Sequence, residues 1–178
     1  MSQDSRISSF YDYWNGLRAT GTLPAQDSID PAHIAPLLPF VWLVRWNDQV
    51  DDFVYRLAGE NVLDIVRQPV RHKRLGALYE PVFAETLRRR FHRLCSGPTA
   101  YYERGRVYRH IDRYGFGERL ALPLADEEGR NRLVIGCTVY AATNWPPALT
   151  APPSTPDPEI GVYTNLDGDP VEPVREAG

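Results

Sequence analysis

The chain has 178 residues, of which 43% are hydrophobic and 24% charged, a balance that suits one globular domain with a core and a remainder outside it. Its net charge of −3 hides an uneven spread: twelve Arg or Lys against four acids from Arg67 to Arg113, then nine acids against three Arg from Asp126 onward. No apolar run nears the roughly 20 residues that span a bilayer, the polar start around Asp4 and Arg6 lacks a signal-peptide core, and Cys95 and Cys137 have no zinc or disulfide spacing. These features imply a cytoplasmic protein with reduced thiols.

In chain order, Ser5 to Thr20 reads as an amphipathic helix. Ile7, Phe10, Tyr11, Trp14 and Leu17 fall on one face, and Gly21 is the expected stop. A face this aromatic at a chain end packs on its own domain or pairs with a second subunit; for the second reading the interaction residues are Phe10, Tyr11, Trp14 and Leu17. After a loop containing Pro24, Asp30-Pro31 offers a cap and a first-turn proline, with Pro36 and Pro39 expected to stop the helix early.

The rest of the chain is organised around the stretch from Phe40 to Gly59. Phe40 to Trp46 is an apolar, β-branched and aromatic strand, Asn47 to Asp52 a polar turn, and Phe53 to Ala58 an alternating strand closed by Gly59. Glu60 to Gln68 reads as a short helix. The basic cluster Arg71, His72, Lys73 and Arg74 reads as a loop leading into a helical turn.

Glu80 to Ser96 is the clearest helix, opened by Pro81 and ended by Gly97-Pro98, with Phe83, Leu87, Phe91 and Leu94 along one stripe. Three strands come after it. In Ala100 to Arg109, alternation puts Tyr102, Arg104, Arg106 and Tyr108 on one face. Tyr114-Gly115 turns the chain into Phe116 to Leu124. Asp126 to Gly129 turns it again into Arg132 to Ala142. Eight of the sixteen prolines lie in the last 36 residues, so 143–178 reads as an extended or disordered acidic tail. Its island Ile160, Val162 and Tyr163 is assigned no structure.

The order of two strands, short helices, a long helix and three strands resembles a PAS domain. The resemblance extends to small bacterial proteins built around a single such domain. It is carried by Phe10-Tyr11-Asp12-Tyr13-Trp14 with Leu17-Arg18, Leu23-Pro24, Ile29-Asp30-Pro31, Leu37-Leu38-Pro39, Phe53, Tyr55-Arg56-Leu57, Gly59 and Leu122-Pro123-Leu124. It implies an α+β fold with a five-stranded antiparallel sheet, helices on one face and a pocket between them. The division is an N-terminal helix and linker at 1–30, a PAS-like domain at 31–142 and the tail. The chain departs from its relatives at Gln68 to Arg74, where an Asp-Leu-Thr-Gly-Arg-like segment loses its Asp, Thr and Gly.

For chemistry, the basic residues stand out. Arg71, Arg74, Tyr102, Arg104, Arg106 and Tyr108 are the candidate ligand-binding set, expected to converge on a small anion unless they form a solvated surface. The residues name no cofactor. His92, the only imidazole on the long helix, is expected to point away from the sheet, against a haem reading. Cys95 lacks the setting of a flavin-reactive thiol. No nucleophile elbow, phosphate loop or metal pair occurs, so an enzyme is not expected, and the acidic total disfavours nucleic acid. The expectation is a sensory or regulatory module that binds a small molecule or a signalling protein and changes its self-association through the N-terminal helix. The alternative is a protein-interaction scaffold whose core, filled by Trp42, Trp46, Phe91 and Phe116, leaves no room for a ligand.

Overall fold

The computed structural model describes residues 4–19, 22–66, 68–110, 113–142 and 160–167. Its helices are α1 (Ser5–Gly16), α2 (Glu60–Val66), α3 (Leu75–Leu78) and α4 (Pro81–Cys95), with 3-10 segments at Gln26–Ser28 and Pro31–Phe40. Its strands are β1 (Val41–Asn47), β2 (Asp52–Ala58), β3 (Thr99–His110), β4 (Arg113–Ala125), β5 (Asn131–Ala142) and β6 (Ile160–Asn165). They form one antiparallel sheet in the order β2-β1-β5-β4-β3-β6.

Local chemistry sets the helix ends. Asp4 caps α1 by accepting from the Arg6 N–H at 2.9 Å, and Asp30 caps the second 3-10 segment by accepting from the Ala32 N–H at 2.9 Å. That segment runs to Phe40 instead of stopping at Pro36. It kinks at Ile34, so Pro36 falls near the start of a new turn, where its missing N–H costs little. α1 is shorter than expected, ending at Gly16, with the Leu17 N–H closing onto the Trp14 carbonyl. The His110–Arg113 pair closes the β3–β4 hairpin, so Tyr114 and Gly115 belong to β4 and are not a turn.

Two expectations need correction. The sheet has six strands, not five, because the tail island pairs along β3 from Thr99–Asn165 to Arg104–Ile160. Helices also cover both faces, not one. Strand alternation sends Trp42, Val44, Tyr101, Ala121 and Val134 toward α4, where Leu87, Phe91 and Leu94 meet them. It sends Val41, Leu43, Leu122, Leu133 and Ile135 to the opposite face, where Ile7, Phe10 and Trp14 of α1 pack with Ile34 and Leu37.

Candidate functional site

The space between α4 and the sheet, where the resemblance implies a pocket, is occupied by rings. Trp42 and Phe91 lie 5.4 Å apart between centroids, as do Phe53 and Phe91. Gly136 makes room for Trp42: a Cβ there would come within 2.1 Å of the indole. The Trp42 Nε1–H donates to Thr138 Oγ1 at 2.9 Å, which also receives Arg119 Nε at 3.3 Å. Arg119 is only 5% exposed. It pairs with Glu103 at 2.9 Å and donates to the Val107 carbonyl. Arg90 reaches the same carboxylate at 2.8 Å, and the Tyr101 hydroxyl donates to it at 2.8 Å. A buried carboxylate held by two guanidiniums and a phenol is electrostatically satisfied.

His92 is exposed, but it does not point away from the sheet as expected: its ring rests against Trp46 of β1 at 4.3 Å and Phe53 of β2 at 5.2 Å, because the end of α4 leans over the β1–β2 hairpin. Among the described residues no three His, Cys, Asp or Glu cluster as metal ligands. Burial pushes the thiols of Cys95 and Cys137 up to about 12, so both stay protonated near neutral pH.

An open groove of about 610 Å³ lies on the other face, between α1 and the β3–β6 edge. Ile7, Ala100 and Leu120 supply buried apolar side chains in its lining. Ser8, Tyr11 and Asp12 line it from α1, Tyr102 and Arg104 from β3, and Val162, Thr164 and Leu166 from the tail strand. Arg104 is exposed and forms no ion pair among the described residues. Glu118, opposite Arg104 in the β3–β4 register, is buried with a partner of its own.

The tail strand is fixed to both faces. Tyr163 is buried toward α4, 4.8 Å from the Tyr101 ring and with the Arg93 guanidinium 3.8 Å over it. At the other face Arg18 donates to the Leu166 carbonyl at 3.0 Å and pairs with Asp167. Sequence reasoning missed this wall of the groove. The alternation Val162, Tyr163, Thr164 was its only local signal.

The sequence-derived set therefore divides. Tyr102 and Arg104 meet at the groove with Tyr11. Arg71 and Arg74 are exposed beside β2, four strands from β3 or roughly 19 Å at normal strand spacing. The expected convergence of these arginines with Arg104 does not occur, because the sheet order puts β1, β5 and β4 between β2 and β3. A register shift between Arg106 and Tyr108 also interrupts the alternation that put four side chains on one face. The side chains of Arg106, Tyr108 and Phe116, and the whole of Arg67, lie outside the described residues.

Of the proposed interaction residues, Phe10 and Trp14 are 1% and 0% exposed on the chain's own sheet, Leu17 is half-buried, and Tyr11 lines the groove. The stripe offered to a second subunit is thus largely covered within one chain. No described helix is long and apolar enough to cross a membrane.

Comparison with known proteins agrees with this architecture. No curated protein matches the chain. A family model of the PAS domain matches residues 1–139, more than three quarters of its length, and on that match the chain belongs to the PAS domain family, whose members are generally sensory and regulatory modules.

Proposed function

We propose that this chain is a PAS-type sensory module that binds a small amphiphilic carboxylate in the groove between α1 and the β3–β6 edge, not between α4 and the sheet. The observation that carries the reading is the pairing of an apolar-lined groove with an exposed Arg104 that forms no ion pair among the described residues. An apolar body would lie against Ile7, Leu120 and Val162. A carboxylate would meet the guanidinium, and the Tyr102 and Tyr11 hydroxyls and Asp12 would select polar substituents.

Signalling would act through the walls of the groove. Arg18, just beyond α1, is bonded to Leu166 and Asp167, just beyond β6, so a ligand wedged between helix and strand favours one helix position over another. That shift changes association with a signalling partner or a second copy. The test is calorimetric titration with octanoate, using octanol as the uncharged control. Arg104→Gln should weaken octanoate about tenfold, near 1.4 kcal/mol, and leave octanol unchanged. Equal octanoate binding by both proteins would sink the assignment.

A second reading, a scaffold without a ligand, draws support from the filled α4 face. Under it octanoate binds neither protein, and light scattering shows no change of association on its addition.

A further inference from the structure

The opposite edge of the sheet carries a separate surface. β2 is the end strand, and its pairing with β1 shifts between Leu43–Leu57 and Val44–Tyr55, which leaves Arg56 unopposed in a bulge. Outside β2, the Tyr55 N–H donates to the Lys73 carbonyl at 3.0 Å and the His72 N–H donates to the Tyr55 carbonyl at 2.8 Å. A bridge between Val54 and Arg74 extends this stub.

The stub begins in a turn closed by the Lys73 N–H on the Val70 carbonyl at 2.8 Å, with His72 at φ 65°. A left-handed backbone there favours glycine over a residue with a side chain. The turn therefore presents an imidazole from a backbone conformation that most side chains avoid.

Four cationic or titratable side chains are thereby brought to one edge. Arg56, Arg71, His72 and Arg74 are all exposed, and none forms an ion pair among the described residues. The nearby acid Asp52 is buried and committed to Arg88 and the Gly76 N–H. Lys73 is engaged with Gln68 at 3.0 Å. Leu57, next to Arg56, is 43% exposed, and Val50 across the preceding turn is 41% exposed.

We infer that this edge docks an acidic segment of a partner protein, with carboxylates spaced along Arg56, Arg71 and Arg74 and an apolar side chain set on Leu57. The chemistry favours that occupant over others. A compact anion would need the turn N–H groups, yet those of His72 and Lys73 are spent on carbonyls. The basic set includes no Phe, Tyr or Trp on which bases would stack, and the net charge is −3. Two exposed aliphatic side chains, Leu57 on β2 and Val50 in the turn before it, make no membrane-inserting face.

The test measures fluorescence anisotropy of a labelled peptide of alternating Glu and Leu on the whole chain. The controls are a Lys/Leu peptide, oligothymidylate and phosphatidylglycerol vesicles. The peptide should bind, weaken with added salt, and lose about tenfold in affinity in Arg56→Gln/Arg71→Gln/Arg74→Gln. Arg104→Gln, at the groove, should bind it as the parent does, and failure of the groove assignment leaves this result unchanged. His72→Gly, which keeps the turn, reports the imidazole alone and should cost less than the triple change. Leu57→Asp should weaken the peptide further in the parent background. Equal binding by the triple variant, no binding by the parent, or tighter binding of oligothymidylate or vesicles through the same arginines overturns the proposal.

Discussion

The two faces of the sheet are built from alternate residues of the same strands, yet they solve different problems. Toward α4, the chain buries rings around an ionised network of Glu103, Arg119 and Arg90, tied through Thr138 to Trp42. Toward α1 the buried cluster is mainly aliphatic, with Phe10 and Trp14 added, and it meets a groove at its β3–β6 end. Directional bonds fix one arrangement, because leaving any member unpaired in a low dielectric is costly. Dispersion and hydrophobic burial tolerate small shifts of a helix better. The comparison assigns the rigid role to the α4 face and the adjustable one to α1, the helix that lines the proposed ligand site.

The largest effect should come from splitting the ion network. Glu103→Leu removes the carboxylate that both Arg90 and Arg119 address and leaves Arg119 buried without it. A loss of about 3–5 kcal/mol is expected in urea unfolding. The double variant Glu103→Leu/Arg119→Leu should recover much of that, since it removes both charges. If the single change costs less than about 1 kcal/mol, the network does not hold this face and the contrast fails.

A matched pair of tryptophans sharpens the comparison at a smaller scale. Trp42 and Trp14 are both buried, one on each face. The Trp42 Nε1–H is bonded to Thr138, whereas that of Trp14 has no partner among the described residues. Trp42→Phe should therefore cost about 2–3 kcal/mol through lost volume and a lost bond. Trp14→Phe should cost about 1 kcal/mol or less, because it also removes an orphaned donor. Thermal melts of the two variants read the difference, and equal losses would mean that the indole N–H groups are not what separates the faces.

How much of this was legible in the sequence depends on the range of the interactions. The hairpin around Asn47 to Asp52, the α4 stripe and the Asp126 turn rest on neighbours in the chain, so periodicity and turn chemistry reveal them. The sixth strand does not. Val162 and Tyr163 become a strand because β3 offers them an open edge, a fact settled far away in sequence. The ion network was hidden for a related reason: nothing local marks Arg119 as buried, and the carboxylate it pairs with comes from β3, which Arg90 of α4 also reaches. Part of the proposed site was visible because Tyr102 and Arg104 share a face. Arg71 and Arg74 were misplaced because spacing along a chain says nothing of strand order. The bulge at Arg56 and the left-handed His72 leave no periodic trace at all.

The smallest effect concerns the polar rim near β1 and the β4–β5 turn. The Asp126 side chain is fully buried and accepts from the backbone N–H groups of Arg130 at 2.8 Å and Glu128 at 3.1 Å, with the guanidiniums of Arg130 and Arg45 nearby. Burial alone pushes its carboxyl up. The Arg130 backbone N–H and guanidinium outweigh that and hold it below the ordinary 3.8. A folded pKa below the unfolded one stabilises the protein above the ordinary carboxylate range, and that contribution disappears as pH falls through the folded value. Asp126→Asn should cost about 1 kcal/mol at neutral pH by urea unfolding. The gap to the parent should narrow below about pH 4, where the parent begins to lose the same charge. A gap constant with pH would assign the effect to turn geometry alone and leave the rim's charge without a role in holding the α1 face.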